Sequence, residues 1–378
     1  MPCDVFPPAH GGATRARYTV KYLSEENLTN VLLSHAYSLN GKTDLISPNL
    51  KIWYCPKTAL DKFGYRSVLF NPFYFKQAYR LMKSFESDII HCELLWSAFS
   101  GISLKRSFGK PLVLIDHNIE YLKFREMNKP HYSCLLREIE KTCCDRADKI
   151  VVVSEVDKKH MMEIYGIREE KIAIIPNCAD TDEFKYSEEG RTYIRDMYSL
   201  APEAITLMFV GKMDYAPNLA AVKYIVEKIY PIIMEKYPKS QFIIVGKGYE
   251  RFLRYKRRNM ILPGYVNRLP DYLSAADIVI IPLDSGSGTR LKILEAASCS
   301  RPIVSTKKGV EGLNFSNNKE IVVTEGINEE FIESIIKLIE DEGLRLRMGN
   351  NARKKVESRY SWKEEIKKFE KIYEELES

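Results

Sequence analysis

Short apolar runs rich in β-branched residues alternate along this chain with longer segments whose apolar positions recur every three to four residues. The runs predict strands at 30–34, 50–54, 88–92, 111–116, 149–153 and 172–175, with helices between them such as 73–85, 132–145 and 155–165. A polar, mixed stretch over 177–204 interrupts the pattern and serves as the domain connection. The pattern then restarts, with strands at 206–210, 241–245, 277–281, 302–305 and 320–323 and helices at 218–237, 290–298, 329–341, 344–358 and 361–376. Strands alternating with helices build parallel sheets from βαβ units. The expected fold is therefore α/β, with two doubly wound, Rossmann-like domains facing a central cleft. Their expected spans are 1–185 and 186–360, and strand ends and helix starts, where ligands bind in such sheets, face the cleft. The last helix, in 361–378, sets Trp362, Ile366, Phe369, Ile372 and Tyr373 on one face. Packing back on the N-terminal domain is its expected role, with a dimer contact as the alternative.

Composition narrows the class. A chain of 378 residues is too long for one core and suits two domains. No apolar run is long enough to span a bilayer, and the start lacks a signal-peptide pattern. The eight cysteines form no C-x-x-C pair and no metal-ligand spacing, which points to buried free thiols in a reducing cytoplasm. The net charge of +6 is uneven: residues 1–178 hold 25 Lys+Arg against 20 Asp+Glu, leaving 32 against 31 for the remainder. A basic first half could meet an anionic membrane surface or an acidic substrate, or be no more than a solvated face. The basic run Arg254-Tyr255-Lys256-Arg257-Arg258 lies in the nearly neutral half and reads as a solvated surface, not a nucleic-acid patch.

The richest chemistry lies in Ile281-Pro282-Leu283-Asp284-Ser285-Gly286-Ser287-Gly288-Thr289-Arg290-Leu291-Lys292-Ile293-Leu294-Glu295-Ala296, a strand, a glycine turn and a helix start. Helix starts favour anions, yet the first turn here carries Arg290 and Lys292. A bound phosphate group resolves that conflict. Glu295, three residues past Lys292, shares its helical face and can accept sugar hydroxyls. Gly11-Gly12 runs into a helix with Arg15 close behind, a second turn that lets backbone N–H groups approach an oxyanion. His117 follows a strand, where it can bond a substrate hydroxyl or its own backbone. Gly246-Lys247-Gly248 lacks the third glycine of a dinucleotide fingerprint. Asp180-Thr181-Asp182 reads as turn and cap residues, so no metal is expected.

Taken in order, these segments resemble the retaining GT-B glycosyltransferases of family four over nearly the whole chain. The resemblance rests on Pro7-Pro8-Ala9-His10-Gly11-Gly12-Ala13-Thr14-Arg15, Asp116-His117-Asn118-Ile119-Glu120, Ile175-Pro176-Asn177-Cys178-Ala179-Asp180 and Phe209 through Asn218. It continues through Leu262-Pro263-Gly264-Tyr265-Val266, the 281–296 segment, Arg301-Pro302-Ile303-Val304-Ser305-Thr306 and Gly309-Val310-Glu311-Gly312. It implies a C-terminal domain that binds a nucleotide-sugar donor and an N-terminal domain that binds a glycan or lipid-linked acceptor. Glu295 would hold the ribose, Arg290 and Lys292 would neutralise the departing diphosphate with help from the Gly11–Gly12 amides, and Tyr265 and Val266 would frame the base. His117 would contact the donor sugar, and Lys212 and Asn218 would lie on the phosphate side. The sugar would come from the donor as a substrate, with no cofactor or metal, and the setting would be polysaccharide or glycoconjugate synthesis in the cytoplasm or at the inner membrane face.

Two departures stand out. Many members carry a second glutamate eight positions before Glu295, where this chain has Ser287; Asp284 or the amides of Gly286, Ser287, Gly288 and Thr289 would substitute. Members also open on an apolar strand, whereas Pro2 and Cys3 follow Met1 here, so a start upstream of Met1 is expected. Two other readings share the architecture: a sugar-nucleotide epimerase, and a non-catalytic nucleotide-sugar-binding protein.

Overall fold

The computed structural model describes residues 11–26, 30–35, 48–55, 58–59, 65–126, 130–248, 250, 253, 256–286 and 288–377. The chain divides into two units, residues 1–177 with 362–378, and residues 178–361. Residues 1–10, on which the expectation about the first strand bears, lie outside the described residues.

Among the described residues unit 1 holds six strands: β1 (Asn30–His35), β2 (Leu50–Cys55), β3 (Ile90–Glu93), β4 (Leu112–Asp116), β5 (Lys149–Val152) and β6 (Ile172–Ile174). β1 and β2 pair in parallel, and β3-β4-β5-β6 form a second parallel sheet in chain order. β4 is buried along its whole length, which is why Leu-Val-Leu-Ile there shows no polar alternation. Helices Ala98–Phe108 and Pro130–Arg146 contribute Ile102, Leu104, Cys143 and Cys144 to the same core. The C-terminal helix Trp362–Glu377 belongs to this unit and buries Trp362, Ile366, Phe369 and Ile372, the face expected to pack on the protein itself.

Unit 2 is one six-stranded parallel sheet. Its strands are β7 (Thr206–Val210), β8 (Gln241–Val245), β9 (Met260–Gly264), β10 (Ile278–Ile281), β11 (Ile303–Thr306) and β12 (Val322–Thr324), in the order β12-β11-β10-β7-β8-β9. That is the doubly wound order, with strand direction of travel reversing between β7 and β10.

Several boundaries differ from the sequence reading, each for a physical reason. β9 was not expected, because Pro263 argues against a strand; it lies on the sheet edge, where a missing N–H is tolerated. The single helix expected at 218–237 is two helices, Ala216–Tyr224 and Tyr230–Lys236, joined by a π turn over Ile225–Ile229. Pro231 cannot donate to residue 227, and the wider turn relieves its ring. Residues 188–197, expected to lie in the connection, form helix Glu188–Met197, capped where the Ser187 hydroxyl accepts from Gly190 N at 3.0 Å. The unit border falls at Asn177/Cys178, ahead of 185. Ala179 N donates to Tyr360 O at 2.9 Å, and the Arg353 guanidinium bonds the carbonyls of Thr181 and Phe184.

Candidate active site

The loops that follow β7, β8, β9 and β10 gather at the carboxyl ends of the unit 2 strands. Gly211 N donates to Val245 O and Met213 N to Lys247 O, each at 2.9 Å, and Gly246 N donates to Gly264 O at 2.8 Å. The Thr306 hydroxyl donates to Leu283 O, fixing the 282–290 loop to β11. Two glycines make this closeness possible. Gly246 has φ +152°, and a Cβ there would overlap Gly211 O; Gly286 has φ +95°, and a Cβ would overlap the Tyr215 hydroxyl.

Arg290 is the N-cap of helix Leu291–Ser298 and is buried. Its guanidinium donates to Gly286 O at 2.7 Å and to Gly288 O, so carbonyls of its own loop answer part of its charge at the helix start. Lys292 Nζ donates to Asn218 Oδ1 at 2.8 Å, and Asn218 Nδ2 donates to Lys212 O at 2.8 Å. The same ammonium lies 4.4 Å from the centroid of the Phe209 ring. Burial first, and then the charge of Arg290, pull the Lys292 amine down to about 7, with Glu295 acting the other way. Burial pushes the Glu295 carboxyl up to about 7, against the pull of Lys292. One turn of helix therefore carries a lysine and a glutamate whose charged forms burial disfavours.

The structure thus brings together Lys212, Asn218, Gly286, Gly288, Arg290 and Lys292, with Glu295 one turn along. Tyr265 is exposed, and Lys247 Nζ stands 4.6 Å over its ring; Val266 is half-buried against the core. Lys212 Nζ pairs with Asp214 at 3.1 Å. Asp284 is exposed and accepts from the Ser285 hydroxyl at 3.0 Å, and Thr289 is half-buried. Ser287 lies outside the described residues.

The remaining expected residues belong to unit 1. Gly11 and Gly12 form the first turn of helix Gly11–Glu25. Arg15, close behind them, is buried. Its guanidinium donates to Pro176 O at 2.7 Å, Ile175 O at 2.9 Å and Asn177 Oδ1 at 3.0 Å, and it lies 5.3 Å over the Trp362 ring. His117 follows β4 and is buried, with Nε2 2.5 Å from Glu93 Oε2. Asp180, at the start of unit 2, does serve its turn: Oδ1 accepts from Asp182 N at 3.1 Å and Glu183 N at 3.0 Å.

A sequence profile for Glycosyltransferase Family 4 matches residues 9–183, and one for Glycosyl transferases group 1 matches residues 204–341. The chain belongs to the family four, group 1 glycosyltransferases. Among its relatives is the Escherichia coli UDP-Gal:alpha-D-GlcNAc-diphosphoundecaprenol alpha-1,3-galactosyltransferase, 24% identical over 78% of this chain and 77% of that protein. Sucrose-phosphate synthase from Thermosynechococcus elongatus superposes with a TM-score of 0.81 at 18% identity, over 97% of this chain and 94% of that one. The Anabaena protein HepE in complex with UDP and glucose gives 0.74 at 14% identity, over 98% and 97%. The fold of this glycosyltransferase is accordingly GT-B, as expected, with a parallel α/β sheet in each unit.

Sequence reasoning missed several residues of this glycosyltransferase. Lys247 and Tyr215 were not singled out, although both sit in glycine-containing loops directly after strands, the general signal for a ligand site. Glu93 and His91 were also missed. Their alternation on β3 sets both on one side of the strand, but nothing local says that the side faces His117.

Proposed function

We propose that this glycosyltransferase moves a sugar, with retention, from a nucleoside-diphosphate sugar to a glycan or lipid-linked acceptor, without a metal ion. The observation that carries the reading is the convergence of Arg290, Lys292 and Asn218 on one helix start at the β7/β10 switch point, with the Lys292 amine held near 7. A diphosphate placed there meets a fixed guanidinium, an ammonium that becomes fully charged as the anion arrives, and helix-end amides. As the C1–O bond to the diphosphate breaks, these groups stabilise the growing negative charge more than the ground state, which is what accelerates the step. Front-face attack balances the proton: the acceptor oxygen bonds to C1 while its hydrogen passes to the departing phosphate oxygen. Glu295 would take ribose hydroxyls, the exposed Tyr265 ring and the backbone at Val266 would frame the base, and His117 would meet the donor sugar. Uridine is the favoured base, since the E. coli relative's name and the HepE complexes carry UDP.

Thermal unfolding in the presence of uridine, guanosine and adenosine diphosphates and their sugars tests this reading. One nucleotide series should raise the midpoint, because a ligand bound only to the folded state stabilises it, and chelator should leave the rise intact. No shift with any series removes the donor site, and a shift that requires added magnesium removes the metal-free mechanism.

The acceptor is proposed to be met at the anionic inner face of a membrane. Among the described residues no helix is long and apolar enough to cross a bilayer. Helix Pro72–Phe85 instead contains Lys76, Arg80 and Lys83 and no Asp or Glu, and exposes Phe73 and Tyr79 along the same stripe, with Phe70 71% exposed just before it. Aromatic rings beside cations suit the headgroup layer. Flotation with phosphatidylglycerol-containing vesicles should recover the protein, and phosphatidylcholine alone should not. Reversing two charges, Lys76→Glu with Lys83→Glu, should weaken binding on the order of tenfold or more. Equal flotation of wild type and variant would place the contact elsewhere.

A further inference from the structure

Behind His117 stands a line of three side chains that the transfer reaction does not itself require. Glu93 holds two imidazoles at once: Oε2 lies 2.5 Å from His117 Nε2, and Oε1 lies 3.1 Å from His91 Nε2. His91 Nδ1 lies 2.6 Å from the Tyr373 hydroxyl on the C-terminal helix, and Phe369 of that helix packs against the His91 ring with centroids 5.5 Å apart. The line is set by the backbone. His91 and Glu93 alternate onto one side of β3, and Glu93 registers with Ile115 of β4, so Asp116 and His117 come next beyond it.

The hydrogens can be assigned by working inward from Tyr373. Its hydroxyl is kept un-ionised by burial and by the charge of Glu93, so it keeps a hydrogen that it can donate to His91 Nδ1. His91 then carries its hydrogen on Nε2 and donates to Glu93. Burial works against ionising Glu93, but its contacts with His117 and His91, including the hydrogen bonds from their ring nitrogens, outweigh it and hold the carboxyl below its usual range. An ionised Glu93 can only accept, so His117 must also carry hydrogen on Nε2. Burial pushes the His117 pKa down, Glu93 opposes, and Arg15 and His91 add to the depression. The ionisable groups facing this line are Arg15 from helix Gly11–Glu25, His91 and Glu93 from β3, and Tyr373 from the C-terminal helix.

We infer that Glu93, backed by His91 and Tyr373, is a positioning residue that fixes His117 as the neutral Nε2–H tautomer, so that Nδ1 faces a substrate hydroxyl as a hydrogen-bond acceptor. The inference rests on the proposed contact between His117 and the donor sugar, but its first test does not. A histidine whose second nitrogen is tied to a carboxylate is held in one tautomer and one ring orientation, as in other active sites where a third group orients the working one.

Histidine-selective nitrogen-15 spectra at pH 7, assigned with His117→Gln and His91→Gln, read the tautomers directly. His117 should be neutral with hydrogen on Nε2, and His91 should also carry hydrogen on Nε2 toward Glu93. In Glu93→Gln the His117 signals should move toward a tautomer mixture, and transfer should fall about 10- to 100-fold, mainly in kcat. The acid limb of kcat/KM should shift to lower pH in that variant, because a carboxylate that favours the imidazolium is gone; a purely structural loss would lower activity without moving the limb. Tyr373→Phe should perturb His91 first and transfer less. His117 found as imidazolium or as the Nδ1–H tautomer in the wild type overturns the inference, even if Glu93→Gln fails to fold. So does a Glu93→Gln protein whose tautomer and acid limb are unchanged. A failed donor reading would look different: no nucleotide-induced rise in melting midpoint, whatever the tautomer of His117.

Discussion

Lys292→Ala should abolish the nucleotide-diphosphate-induced rise in melting midpoint and reduce transfer about 10²- to 10³-fold, the usual loss when one stabilising donor of a developing oxyanion is removed. The protonation of Lys292 gives the test a second reading. At pH 8 an amine held near 7 is mostly neutral in the empty protein, and a bound diphosphate draws it back to the charged form. Calorimetry at pH 8 in buffers of different ionisation enthalpy should therefore show net proton uptake on nucleotide binding, absent in Lys292→Ala. The sign for stability follows from the same shift. Because the folded-state pKa is depressed, the unfolded chain binds more protons between about 7 and the ordinary lysine range, so the cost to stability is full below 7 and fades as pH rises. Lys292→Met should accordingly melt a few degrees higher than the ligand-free wild type at pH 6.5, on the scale of about 2–4 °C for each 1 kcal/mol. A variant that binds diphosphate as well as wild type, with the same proton uptake, would remove Lys292 from the phosphate site.

Gly246→Ala should be the most damaging single methyl in unit 2, with a loss on the order of 3 kcal/mol. Its φ of +152° disfavours any side chain, and the added Cβ would overlap the Gly211 carbonyl, so the β7 and β8 loops would have to part. Gly211 in turn lies against the Asn218 amide that receives Lys292, so nucleotide binding should suffer together with stability. Gly326→Ala is the matched control: a Cβ there meets nothing within 4 Å, and the change should stay within about 0.5 kcal/mol. Urea unfolding of the two variants decides the matter. Equal midpoints would mean that the loops are not held together by this contact.

How much of this was legible from residues alone depended on how local each feature is. The buried parallel strands were readable because strands covered on both faces appear as continuous apolar runs, as β4, β7 and β10 do. β9 was hidden by Pro263, whose tolerance depends on an edge position that no single strand reveals. Helix Glu188–Met197 had its cap signals, Ser187 followed by Glu188 and Glu189, but its apolar stripe was too thin to declare it. At the site, Arg290, Lys292 and Glu295 were readable because strand, turn and helix are contiguous. The anchoring of Arg15 was not readable, because its acceptors at 175–177 lie some 160 positions away and nothing near it announces them. The pairing of Glu93 with His117, and of His91 with Tyr373 across a separation of 282 residues, was out of reach for the same reason.

Unit 1 is built from two stretches of chain that straddle unit 2 in the sequence. Unit 2 is a single run, 178–361, and can close its sheet as soon as that run has left the ribosome. Unit 1 cannot. Trp362, stacked by Arg15, and Tyr373, behind His91, follow unit 2 in the sequence and are synthesised after it. During translation the first half must therefore wait, with an incomplete core, while the second half folds ahead of it, the reverse of the usual N-terminal-first order. A nonsense codon just before residue 362 would leave unit 2 whole and unit 1 unfinished.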